Sequence, residues 1–166
     1  MTRSTLLAFA VVALSAGCAF AQTPRLLGSY DSWSAWTFRE NKSNVCYVYT
    51  DADTKKPETL DHGRVGFSIR NLERGRSRTE AGFLSGYELA PQPIRVVVDG
   101  KRFTMIPRGR HAWLRREERE GEFLQALMRG RTMTVEAVSR RGNKTSYRFS
   151  LAGATKAVRK ARQSCR

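Results

Sequence analysis

The side chains able to do chemistry are few and dispersed. His62 follows Asp61 at the end of a polar stretch, "DADTKKPETLDH" (51–62), where adjacent side chains need not converge on one target; a solvated loop is expected. His111 precedes Ala112-Trp113, a setting that favours local packing or hydrogen bonding. Neither histidine has the neighbours of a nucleophile, base and orienting group, or of a metal-ligand set. The patterns H-E-x-x-H, G-x-S-x-G, the P-loop and the dinucleotide fingerprint do not occur. Glu117, Glu118, Glu120 and Glu122 alternate with Arg115, Arg116 and Arg119, which reads as a salt-bridged helix face rather than a paired-carboxylate site. No cofactor or metal is implied, and a non-enzyme is expected.

Three cysteines invite a second kind of chemistry. Cys18 lies within "SAGCAFAQ", behind Arg3 and an apolar run from Leu6 to Leu14. The Ala19-Phe20-Ala21 triplet completes the pattern of a secretory signal peptide, residues 1–21, cleaved after Ala21. The run is short for a hydrocarbon layer of about 30 Å. A lipoprotein at Cys18 is the lesser alternative, because Ser15 holds the position where a lipobox wants Leu, and Leu14 is one step too far away. Cleavage leaves residues 22–166, read as a single domain, with Cys46 and Cys165. An even pair in an oxidising compartment points to one disulfide, two free thiols being the alternative.

Charge supplies the clearest functional signal. The chain carries 30 Lys and Arg against 15 Asp and Glu; losing Arg3 with the signal leaves 29 against 15, a net +14. In the cytosol such an excess would point to nucleic acid. In the periplasm or outside the cell the polyanions are lipopolysaccharide, anionic lipid, acidic glycans and host surfaces, so no physiological nucleic-acid partner is expected. The candidate anion-binding residues are Arg70, Arg74, Arg76 and Arg78 in one connection, Arg140, Arg141 and Lys144 in another, and Lys156, Arg159 and Lys160 in the tail. Arg108, Arg110, Arg162 and Arg166 add to the excess. Guanidinium forks suit phosphate and carboxylate.

Positioning these groups falls mainly to β structure. Short alternating runs predict strands over 33–39, 45–50, 64–70, 81–89 and 94–106, the last folded at Asp99-Gly100, and a hairpin over 132–151 turning at Gly142-Asn143. Trp33 and Trp36 have opposite strand parity; Trp36 is expected in the core, and Trp113 as a core plug. Helical spacing of Phe123, Leu124, Leu127 and Met128, ending near Gly130, predicts an internal helix. Ala154, Val158, Ala161 and Cys165 share a face of a C-terminal helix, which would bring Cys165 to the body of the protein near Cys46. Seven or eight strands suggest a two-sheet sandwich, with barrel closure as runner-up.

The chain also resembles the invasion-associated locus B family, exported proteins of α-proteobacteria. The resemblance runs from about Gly28 to Cys165. It is carried by "LGSYDSWSAW" leading to "VCY" (45–47), "SGY" (85–87), "DGKRFTM" (99–105), "AW" (112–113), "ALMRGRTMTV" (126–135), "SRRGNKT" (139–145) and "SLAGATKA" (150–157). It implies an immunoglobulin-like β-sandwich in the periplasm or at the cell surface, with some relatives linked to host-cell invasion, and no catalytic residue set to transfer. The expected function is a binding or host-interaction factor of the envelope recognising an anionic surface or polyanion. A periplasmic assembly factor or chaperone is the alternative, and an envelope hydrolase the weaker one.

Overall fold

The computed structural model describes residues 23–40, 43–72 and 78–165. The expected signal segment with Cys18 and Ala21, the arginines Arg74 and Arg76, and Arg166 lie outside them. Eleven strands and two helices follow in chain order: β1 (Arg25–Tyr30), β2 (Trp33–Glu40), β3 (Ser43–Asp51), β4 (Thr54–Lys56), β5 (Gly66–Arg70), β6 (Glu80–Leu84), β7 (Ile94–Val98), β8 (Lys101–Arg108) and β9 (His111–Leu114). Then come α1 (Glu120–Arg129), β10 (Thr132–Val138), β11 (Lys144–Ser150) and α2 (Ala154–Ser164).

Local sequence explains the sharpest turn. Val98 pairs with Lys101 across Asp99 and Gly100, whose φ angles are 43° and 88°. Two positive φ values in a two-residue loop match the right-handed twist of the flanking strands, and Asp-Gly supports them at low steric cost. The Asp99 carboxylate then accepts from the Arg131 and Thr132 amides at 2.8 and 3.0 Å, fixing where β10 begins.

All eleven strands join one antiparallel sheet, in the order β1-β2-β3-β5-β6-β9-β8-β7-β10-β11-β4, and the sheet folds over into two facing layers. Two corners make the fold. β8 pairs through its first half with β7 and through its second half with β9. At the other corner, Ala52 donates to Val65 O at 3.0 Å while Asp53 donates to Arg148 O at 2.9 Å. One peptide step therefore carries the chain from the first layer to the second, where the three-residue β4 pairs with β11. Such layer-switching strands are how sandwiches turn corners.

Between the layers, Phe67 of β5 meets Phe149 of β11 and Phe123 of α1, and Phe123 meets Phe103 of β8 edge-on at 4.9 Å. The expected mainly β, sandwich-like fold with an internal and a C-terminal helix is present, its layers continuous through β8. β4 falls in the stretch read as a polar loop; three half-exposed residues carry too short an alternation to register in the sequence.

α2 packs on β1, β2 and β3. Its buried side carries Ala154, Ala157, Val158 and Ala161, and the strands answer with Ala35, Thr37 and Cys46. These small side chains let helix and sheet approach closely. Cys165, just beyond the helix, is disulfide-bonded to Cys46, with the Thr37 hydroxyl 3.6 Å from its sulfur. The bridge joins residues 119 positions apart, so it removes much of the unfolded chain's freedom. Replacing both cysteines by alanine is expected to lower the unfolding free energy by about 3–5 kcal/mol. Urea denaturation would show this as an earlier midpoint, and an unmoved midpoint would contradict it.

Candidate functional site

Two surfaces gather functional side chains. The first is a cleft of about 520 Å³ lined by His62, Tyr87, Glu88, Arg110, Arg140 and Arg141, among others. His62 is 6% exposed, not solvated as expected. Its Nε2 lies 2.8 Å from Pro57 O, which can only accept, so that nitrogen donates; its Nδ1 lies 2.9 Å from the Tyr147 hydroxyl. The chain of contacts continues from Tyr147 to Tyr87 at 2.6 Å and from Tyr87 to Thr145 at 2.7 Å, and Thr145 donates to Ala137 O at 3.1 Å. Burial pushes the Tyr147 phenol above its ordinary range. Four side chains thus bridge two backbone carbonyls, and both ring nitrogens of His62 are engaged.

"SGY" (85–87) builds the same corner. The Ser85 hydroxyl donates to Tyr87 O and accepts from Tyr87 N–H. At Gly86 the backbone of 62–64 passes so close that any Cβ would collide with the His62 carbonyl and Gly63 Cα. Gly86→Ala is therefore expected to displace the His62 segment. Loss of the His62–Tyr147 contact would appear in the His62 ring resonances by NMR, and an unchanged His62 environment would contradict this.

The second surface is the outward face of the first layer. Trp33, 1% exposed, is the core tryptophan, its indole donating to Ser150 O at 2.9 Å. Trp36 and Phe38, of opposite parity, therefore point outward, correcting the expected core position of Trp36. The inner face of β2 lies under α2 and holds Trp33, Ala35 and Thr37. Trp113 is likewise no core plug: it is 36% exposed, because Ala112 and Leu114 take the inward positions of β9. Leu26 and Ile106, the other large exposed apolar residues among those described, lie on the same face by register, Leu26 opposite Trp36 and Ile106 opposite Trp113.

A groove of about 550 Å³ runs along this face. Ser68 and Gly82 form its open floor, with Leu84 beside a Gly66 that the Tyr49 ring covers; Phe38, Tyr47 and Tyr49 wall one side, and His111 and Trp113 the other. Trp36 lies parallel to Tyr47 at 6.5 Å and donates to the Ser34 hydroxyl at 2.7 Å. His111 stacks on Trp113 at 5.7 Å. The Tyr49 hydroxyl donates to Asp51 and accepts from Arg64 Nε at 3.1 Å. Burial and the Asp51 hydrogen bond push its phenol up to about 12. The Arg70 guanidinium lies over Phe38, 5.6 Å from the ring centroid.

The candidate basic residues do not form one patch. Arg70 sits on the aromatic face, and Arg78 pairs with Glu117 at 3.0 Å. Arg140 and Arg141 line the His62 cleft beside Arg110, which pairs with Glu88 at 3.6 Å. Lys144 opens β11 and lines a separate depression with Arg95. Lys156, Arg159 and Lys160 lie on the outer side of α2.

Nor is the acidic cluster uniformly a salt-bridged face. Glu122 is one, accepting from Arg119 at 2.7 Å and Lys101 at 2.8 Å, which holds its carboxyl down near 2. Glu120 is 5% exposed, and both its oxygens accept the Ala81 amide, at 3.0 and 3.1 Å, tying α1 to β6. It lies on the apolar stripe with Phe123, Leu124 and Leu127, a spacing that could have revealed it. Burial outweighs those hydrogen bonds and raises its carboxyl to about 7. Since the native state holds this proton above the unfolded value, the stability it contributes at low pH fades as pH rises from about 4.5 to about 7. Glu120→Gln is expected to flatten that part of the melting-temperature profile; an equally steep profile would contradict the assignment.

No helix among the described residues is long and apolar enough to cross a membrane, and no group of three or more His, Cys, Asp or Glu among them could hold a metal ion. What the fold and its surfaces define is a mainly β, sandwich-like protein with a disulfide-held C-terminal helix. The chain belongs to the invasion associated locus B (IalB) family, whose model matches residues 33–162. It is similar in structure to invasion associated protein B from Bartonella henselae, at 14% identity and a TM-score of 0.61, over 81% of this chain and 92% of that one. No curated protein matches the sequence.

Proposed function

We propose that the protein is exported, is processed after Ala21 to a single mature domain, and works by binding an anionic surface or polyanion of the envelope or a host rather than by catalysis. The observation that carries this reading is the convergence of Arg110, Arg140 and Arg141 on one cleft, where Arg140 and Arg141 make no ion pair among the described residues. Cations left uncompensated at the surface of a strongly basic chain speed capture of anionic partners. Engagement of both His62 nitrogens inside the protein supports binding over hydrolysis at this cleft. The family's name makes a host-cell surface one candidate location for the partner. The assembly-factor alternative would use the sheet's terminal strand β1, whose far edge pairs with no strand among those described.

Vesicle co-sedimentation tests the cationic reading. Arg140→Glu with Arg141→Glu is expected to lower affinity for anionic phospholipid vesicles by roughly tenfold at low salt, the gap narrowing as salt rises. Binding that ignores salt and charge reversal, or no binding at all, would contradict it.

A further inference from the structure

The aromatic groove lies on a different surface from the arginine-lined cleft and uses none of its arginines, so it calls for a separate explanation. We infer that it binds a linear glycan bearing carboxylate groups, laid along β5 and β6.

The shape follows from the register. Tyr49, Ser68, Gly82 and Trp113 form one straight row across β3, β5, β6 and β9. The two ring-bearing strands are three strand spacings apart, about 14 Å between backbones, while the two between carry a hydroxymethyl group and a hydrogen. That leaves a trough one chain wide. Along the strands the trough runs between Leu84, opposite the Gly66 that the Tyr49 ring covers, and the facing residues Arg70 and Glu80, backbone positions about 13 Å apart, room for a sugar ring and its neighbour.

Its walls are held in advance. The Trp36 indole is fixed to Ser34, the Tyr49 phenol is held between Asp51 and Arg64, and the Tyr49 ring lies over Gly66, where a Cβ would strike its hydroxyl. The three large exposed apolar residues among those described, Leu26, Ile106 and Trp113, flank these walls. Keeping ordered ring faces and apolar side chains in water on one side of a molecule otherwise rich in charge is the mark of a contact surface.

The occupant is constrained by what the groove offers. A peptide strand cannot add here, because β5 and β6 are each paired on both sides and have no free edge under the groove. A hydrocarbon chain would leave Ser68, Glu80, Arg70 and His111 without use in the lining. A pyranose presents flat C–H faces to aromatic rings and hydroxyls to such polar groups at once. Arg70 and Glu80 face each other in register at one end of the groove, yet the Arg70 guanidinium stacks on Phe38 and makes no ion pair among the described residues, leaving its fork available to a carboxylate.

The probe is a defined oligogalacturonate, a linear carboxylated glycan, added to the disulfide-intact mature protein. Binding is read by tryptophan fluorescence, since Trp36 and Trp113 flank the groove and Trp33 is buried. Expected is saturable binding that falls about tenfold on Trp113→Ala, and at least as far on Gly82→Leu, which fills the trough. A Cβ at Gly82 meets only the Ser68 hydroxyl at 3.3 Å, so that variant is expected to fold, with circular dichroism as the check. Arg70→Gln should weaken this probe while leaving an uncharged galactan oligomer unaffected. Arg140→Glu with Arg141→Glu should leave affinity within about twofold, which separates the groove from the cleft. The inference is overturned by absent binding, by binding that Gly82→Leu leaves intact, by preference for an oligoproline peptide, or by self-association that buries Trp113.

Discussion

The disulfide between Cys46 and Cys165 decides which side of the β2–β3 pair is inside. In a strand the side-chain period is two, so fixing one residue inward fixes all the others. With α2 held over Cys46, its row partner Thr37 and the alternating Ala35 and Trp33 must face the helix and the core. Trp36, Phe38, Tyr47 and Tyr49 are thereby committed to the outer face. A helix that docks on small residues and a sheet that presents large rings to solvent are two results of one constraint.

That arrangement runs against the usual partition of apolar side chains. Burying Trp36 and Tyr47 instead would need the whole pair to flip and would place Cys46 outside, away from Cys165. These half-buried rings are stabilised locally by stacking and by hydroxyl and indole hydrogen bonds, which reduce their freedom while leaving part of each in water. The surface is therefore ordered before any partner arrives, which lowers the entropic cost of binding.

Much of the architecture was legible in the residues. Alternation located most strands, Asp99-Gly100 marked the tight hairpin, and helical spacing placed both helices and brought Cys165 toward Cys46. Parity also set Trp33 and Trp36 on opposite faces correctly, but parity alone cannot say which face is inside. That depended on α2 covering β2 and β3, a contact between segments more than a hundred residues apart. His62 was misread for a related reason: its partners Pro57 and Tyr147 converge only when the layer-crossing at Ala52-Asp53 folds the polar segment onto β11. The groove floor is not legible in the sequence because Ser68 and Gly82 acquire meaning only from their register with Tyr49 and Trp113. The basic residues were plain in the sequence, but their division among separate surfaces was not.

Acrylamide quenching of three single-tryptophan variants, retaining Trp33, Trp36 or Trp113 with the others replaced by phenylalanine, tests this parity directly. With the disulfide intact, Trp33 should be protected, while Trp36 and Trp113 should be readily quenched. A protected Trp36 together with an accessible Trp33 would mean that the β2–β3 pair faces the other way, and both the clamp and the aromatic groove would fall with it.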